Sequence, residues 1–136
     1  MKVEIFSLCD FAQAEPGGKL NILGVFDHLY ARDIPHKRVV FAIALRVRFE
    51  LSEEGPKTIA LAFIDSDGKP VMPPMRAQFP LKIQPNESTA TLNCAMVIPQ
   101  IQFSRFGDYQ VDLSINDKIE ATLPLYVRQR PNPPSA

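Results

Sequence analysis

Hydrophobic and polar positions alternate most cleanly between Val39 and Leu51. Val39, Phe41, Ile43, Leu45, Val47, Phe49 and Leu51 take every second position, and Arg38, Arg46, Arg48 and Glu50 fall between them. Successive side chains of an extended chain point to opposite faces, so one face of this strand is continuously apolar and the other is charged at its far end. A helical period of 3.6 would carry Arg46 and Arg48 into the apolar stripe. Ala42 and Ala44 keep the middle of the second face small rather than wet. The pattern predicts the central core strand of the fold.

Glu53-Glu54-Gly55-Pro56 ends that strand, because Pro56 lacks an N–H and Gly55 supplies free dihedrals. Ile59, Leu61 and Phe63 alternate again, as a hairpin partner. The next turn can be registered: a three-residue loop Ser66-Asp67-Gly68 sets Asp65 opposite Lys69 and Phe63 opposite Val71. Gly68 then takes the left-handed position of a type I turn with a G1 bulge.

On either side of this centre the same logic continues. Val3, Ile5, Cys9 and Phe11 predict the inward face of an opening strand, with Phe6 and Leu8 partly filling the other. Residues 19–31 predict a second strand, apolar on both faces and kinked or bulged at Gly24. Residues 32–37, with Pro35, cross to the central strand. Met72-Pro73-Pro74-Met75 is an extended loop. Phe79, Leu81 and Ile83 make a short strand that Pro80 assigns to an edge. Pro85-Asn86-Glu87 turns the chain, and Ala90, Leu92, Cys94, Met96 and Ile98 form the inward face of the next strand, which Pro99 ends. Residues 101–106 are a strand end or a short 3₁₀ turn.

Tyr109, Val111, Leu113 and Ile115 alternate, and their entry, Phe106-Gly107-Asp108-Tyr109, looks like the tyrosine corner of immunoglobulin-type sandwiches. In the last hairpin a two-residue Asn116-Asp117 turn would pair Ile115 with Lys118 and mix faces. A three-residue loop through Lys118 pairs Ile115 with Ile119, followed by Ala121, Leu123, Leu125 and Val127, and is the expected register. Pro124, on the outward side, requires an edge or a bulge. These segments give about eight strands at sandwich spacing. The expected fold is all-β, an immunoglobulin-like antiparallel β-sandwich forming a single domain over residues 1–128. Residues 129–136 form a proline-rich tail expected to be disordered.

Composition narrows the functional classes. A chain of 136 residues suits one domain that buries about two thirds of its unfolded surface. A formal net charge of zero gives no electrostatic reason for binding nucleic acid or an anionic membrane. No apolar run approaches the ~20 residues of a membrane span, and Glu4 and Asp10 break the start as a signal peptide. The expected location is cytoplasmic. Cys9 and Cys94, both in apolar strand patterns, are then expected as buried free thiols rather than a disulfide. No spacing resembles a zinc site.

KLNILGVFDHLYA, FAIALRVRFE, FIDSDGKPVMPP and LPLYVRQ together resemble an uncharacterised family of small bacterial proteins, a domain of unknown function. The likeness covers nearly the whole chain except the tail. It implies a bacterial, stand-alone domain of immunoglobulin-like architecture, and brings no activity, cofactor or site residues.

The chemistry-bearing residues have ordinary accounts beside functional ones. Asp27, His28, Tyr30 and Arg32 are the densest polar group on a strand; His28, Tyr30 and Arg32 share a face and Asp27 points the other way. That alternation argues against a direct Asp27–His28 dyad, and no serine sits in a Gly-x-Ser-x-Gly elbow. Asp65-Ser66-Asp67-Gly68 lacks the order and the closing glutamate of an EF-hand, and turn chemistry explains it. Arg46 and Arg48 could grip a carboxylate or phosphate, or simply pair with acidic neighbours across strands. Met72 and Met75 suit a hydrophobic docking loop or a cap on the core.

No catalytic, cofactor-binding or metal-ligating set emerges, and the chain is expected not to be an enzyme. His28, Tyr30, Arg32, Arg46 and Arg48 are the candidate ligand or partner patch. The expected function is a non-enzymatic binding or assembly module acting through protein contacts, with a protein partner or a homo-oligomer and neither nucleic acid nor membrane. The alternative is small-molecule or carbohydrate binding by the loops at one end; the absence of Trp and the few tyrosines weaken its carbohydrate version. The opening strand from Val3 to Phe11, which carries no proline, or an adjacent sheet face is the expected contact surface.

Overall fold

The structure is a computed structural model that describes residues 1–33 and 39–130. Residues 34–37 of the expected crossover, and residues 131–136 of the expected tail, lie outside the described residues. Nine strands form two packed sheets, a β-sandwich: β1 (Lys2–Ala14), β2 (Leu20–Phe26), β3 (His28–Ala31), β4 (Val39–Glu50), β5 (Gly55–Ile64), β6 (Met75–Leu81), β7 (Thr89–Ile101), β8 (Gly107–Ile115) and β9 (Lys118–Gln129). One sheet has the order β2-β1-β4-β7 and the other β3-β9-β8-β5-β6. All pairs are antiparallel except β3 with β9, which run parallel. The ninth strand arises because residues 19–31 are two strands. The chain leaves one sheet at Asp27 and joins the other at His28.

β4 is the centre of the four-stranded sheet, and its alternation is realised in full from Phe41 onward. Phe41, Ile43, Leu45, Val47 and Phe49 are buried between the sheets, against Ile59, Leu61 and Phe63 of β5 and Val111 and Leu113 of β8. Leu51 departs from the pattern: it starts a single 3₁₀ turn and is exposed. Gly68 has φ +80°, the Asp65 amide donates to Lys69 O at 2.9 Å, and the Val71 amide donates to Phe63 O at 2.8 Å. That is the register expected from the sequence. Met72 and Met75 pack on the core as a cap.

The small residues on the second face of β4 have a purpose that sequence patterning left open. The β1–β2 hairpin bends back over the outer face of its own sheet, so that Ala12, Leu20 and Ile22 pack with Ile5, Cys9, Ala42, Ala44 and Ala95. The Asn93 side-chain amide reaches the Gly18 carbonyl near the hairpin's end. Gly24, with φ +72°, sits at the bend; a Cβ there would come within 2.3 Å of Asp10 Oδ2. Larger side chains at 42, 44 or 95 would hold the hairpin off. This second core makes the outer face of one sheet partly interior.

Two bulges change which side chains face inward. In β1, Val3 opposes Val47 while Ile5 opposes Arg46, so one extra residue is inserted and the faces exchange. Val3, Phe6 and Leu8 therefore reach the main core, whereas Ile5 and Cys9 lie beneath the folded hairpin and Phe11 is 54% exposed. This corrects the expected inward face of the opening strand. In the last hairpin, Asn116 (φ 51°) and Asp117 (φ 68°) form the two-residue turn, with Ile115 opposite Lys118. A bulge at Glu120 then restores the alternation, setting Leu113 opposite Ala121 and leaving Ile119 exposed. The expected three-residue loop is wrong because the bulge, not the turn, absorbs the odd residue.

Prolines fall where backbone donors are not needed. Pro80 lies on β6, one of the two outer strands of its sheet. The Tyr126 amide donates to Asp27 O, so position 124 faces the same side, before β3 has joined. β9 is an edge there. Pro99 does not end β7, which continues to Ile101 through Gln100 at φ 48°.

Candidate functional site

The five candidate residues do not form one patch. His28, Tyr30 and Arg32 lie on or just beyond β3 in the five-stranded sheet, while Arg46 and Arg48 lie on the outer face of the four-stranded one. The sandwich separates the two groups.

Arg46 and Arg48 are held by Glu4, the residue that the β1 bulge turns outward. Arg46 Nε and Arg48 Nε each donate to a Glu4 oxygen at 3.0 Å, Arg46 Nη1 donates to Asn93 Oδ1 at 2.9 Å, and Arg48 Nη1 to Thr89 Oγ1 at 3.5 Å. Donation from Arg48, then from Arg46, lowers the Glu4 carboxyl pKa, and the same bond raises that of Arg48. The pair is a cross-strand clamp tying β1, β4 and β7.

At β3, Asp27 and His28 do touch, with Oδ1 and Nδ1 2.5 Å apart. The expectation that they diverge fails because Asp27 is at the crossing between sheets, where strand alternation does not apply. His28 stacks on Tyr30 at 5.9 Å between ring centroids and lies 4.8 Å from Tyr126, whose ring carries the Arg128 guanidinium at 5.2 Å. Arg128 in turn donates to Asp108 at 2.6 Å. Tyr126 and Arg128 were not legible as site residues, since only the parallel register, His28 opposite Tyr126 and Tyr30 opposite Arg128, brings them there. Arg32 is exposed, and its carbonyl accepts from Gln129 Nε2 at 3.4 Å. Beside Asp27, a groove of about 330 Å³ lies between β1 and β9, lined by Phe6, Leu8, Leu123 and Pro124 among others.

The other polar clusters are likewise spent internally. Asp65 Oδ1 accepts the Asp67 and Lys69 amides at 2.9 Å, which, led by Lys69, lowers its pKa. Arg105 lies 2.5 Å from Asp67 and 3.6 Å from Asp65, placing a cation where a calcium loop would need space for one. Asp112, 5% exposed on the outer face of β8, accepts from Thr122 at 2.9 Å and Gln110 at 3.0 Å. Nothing in local sequence marked it. Cys9 and Cys94 are unpaired and project to opposite faces of one sheet; burial raises both thiol pKa values.

Unmet backbone potential lies elsewhere. β1 is not the expected edge: it pairs with β4 over residues 2–9 and with β2 over 8–14. β7 is the edge of that sheet, paired only with β4 among the described residues. Its thirteen residues include no charged side chain. On its inward side Ala90, Leu92, Cys94 and Met96 are only partly buried, and on its outward side Val97 is 59% exposed.

Comparisons with known proteins bear on the family alone. The model of a family of unknown function, DUF6941, matches residues 4–128. No curated protein matches the chain. Among solved structures, Pseudomonas fluorescens alkylpurine DNA glycosylase AlkC bound to DNA containing an abasic site analog is 11% identical, with a TM-score of 0.38. The alignment covers 90% of this chain and 30% of that one, and a likeness of this degree carries no functional argument.

Proposed function

The chain belongs to that family of unknown function, and from this premise we propose that it is a non-enzymatic binding module acting through protein contacts, accepting an extended strand at the open edge of β7. The observation that carries this reading is the edge itself. An edge strand presents a row of unpaired N–H and C=O groups, and proteins that gain nothing from pairing blunt it with charge, proline, bulges or shortness. β6 carries Arg76 and Pro80, β3 has four residues, and β2 is bent at Gly24. From Thr89 to Ile98, β7 has none of these.

Added strands bind through main-chain hydrogen bonds and gain specificity from alternate side chains, here the partly buried Leu92, Cys94 and Met96. The alternative of a ligand held by end loops is less well supported, because the aromatic residues lie on a strand face. An immunoglobulin-like classification is supported by the Tyr109 hydroxyl donating to Arg105 O at 2.7 Å, as in a tyrosine corner. Two unpaired thiols suit a reducing compartment such as the cytoplasm.

The test compares the tagged full chain with its Thr91→Glu/Val97→Glu variant in co-purification from native cells. The reading predicts a protein retained by the wild type and lost from the folded variant. The same proteins on both, with neither chain self-associating, would overturn it.

A further inference from the structure

Resting on that reading, we infer that the strand β7 accepts is β7 of a second copy, antiparallel and centred on Cys94. Three features of the strand argue for an identical partner. First, the pairable stretch is bounded: Pro99 limits it on one side, and the turn with Asn86 at φ 73° limits it on the other. The strand before Pro99, Thr89 to Ile98, has its midpoint between Asn93 and Cys94. Second, the inward apolar side chains Ala90, Leu92, Cys94, Met96 and Ile98 are centred on Cys94, the inward-facing residue at that midpoint. An antiparallel copy in this register sets Ala90 opposite Ile98, Leu92 opposite Met96 and Cys94 opposite Cys94. Third, two identical strands repel if they are charged, and this strand carries no charge.

The register also keeps faces in agreement. Because paired positions sum to an even number, the inward faces of both copies meet and so do the outward faces, where Thr91 of one copy meets Val97 of the other. A one-residue slip would place each apolar side chain opposite the wrong face. In the assembled pair two four-stranded sheets become one of eight, and the partly exposed Leu92, Cys94 and Met96 gain apolar neighbours that the five-stranded sheet does not supply. The two-fold is closed, so association stops at the dimer.

The experiment is sedimentation equilibrium on the purified full chain and two double variants. The wild type is expected to be a dimer. Thr91→Glu/Val97→Glu puts like charges directly opposite twice across the two-fold and is expected to be a monomer; its circular-dichroism melt checks that it is folded. Glu at 91 lies beside Arg48 within the sheet, so it does not itself disfavour the fold. Thr91→Glu/Val97→Lys places opposite charges in the same positions and is expected to restore the dimer. A monomeric wild type, a dimer unaffected by the two glutamates, or no recovery with the lysine would overturn the inference. If the wild type is monomeric but a co-purifying protein is lost with the two glutamates, self-pairing falls while strand acceptance by β7 stands.

Discussion

Gly24 does two jobs that no other residue could share. Its φ of +72° lies where an L side chain is strained, and Asp10 occupies the space a Cβ would need. Gly24→Ala is expected to cost more than about 1 kcal/mol from the backbone alone, with the Asp10 clash added. Chemical denaturation checks this, and in an Asp10→Ala background, which removes the carboxylate but keeps the Cβ at 3.1 Å, the cost should shrink toward the backbone part. An equal cost in both backgrounds would show that Asp10 does not crowd the bend. At this scale the sequence was informative wherever a residue's backbone chemistry decides its place: Gly24 as a kink, Gly68 in its turn, Pro80 on an edge. It was uninformative about Asp112, whose burial depends on Gln110 beside it and Thr122 on the next strand.

Strands carry the next level of information, and bulges are where their patterns mislead. Alternation reads correctly along β4 from Phe41 to Glu50 because the register there has no insertion. In β1 and β9 one extra residue exchanges the faces, and nothing in a period-two pattern marks the residue at which this happens. In β1 the insertion places Glu4 against Arg46 and Arg48. Since Glu4's folded pKa is lowered, the clamp contributes fully above the ordinary carboxylate range and is lost as pH falls through the lower folded value. Glu4→Gln is therefore expected to melt lower than the wild type at neutral pH, with the gap closing as the pH falls through the acid range in which folded Glu4 takes up its proton. Melting curves across that range test it; a gap that persists unchanged into acid would contradict the clamp.

The sandwich class was legible as a whole, because about eight short apolar patterns without a helix leave few alternatives. Sheet order was not. That β3 pairs in parallel with β9, that β1 is interior, and that β7 is an edge all follow from contacts between residues far apart in the chain. The patch of His28, Tyr30, Arg32, Arg46 and Arg48 divided for the same reason. With the order in view, no buried side-chain polar atom among the described residues lacks a partner, and among those residues the long uncharged backbone edge of β7 stands unpaired. Hydrogen exchange along residues 89–98 at two protein concentrations tests that claim most directly. In dilute solution the alternate β7 amides that face away from β4 should exchange quickly. At high concentration they should become protected, while the β6 edge stays unchanged. Fast exchange of those amides at every concentration, or protection already equal to that of β4 in the dilute monomer, would contradict it.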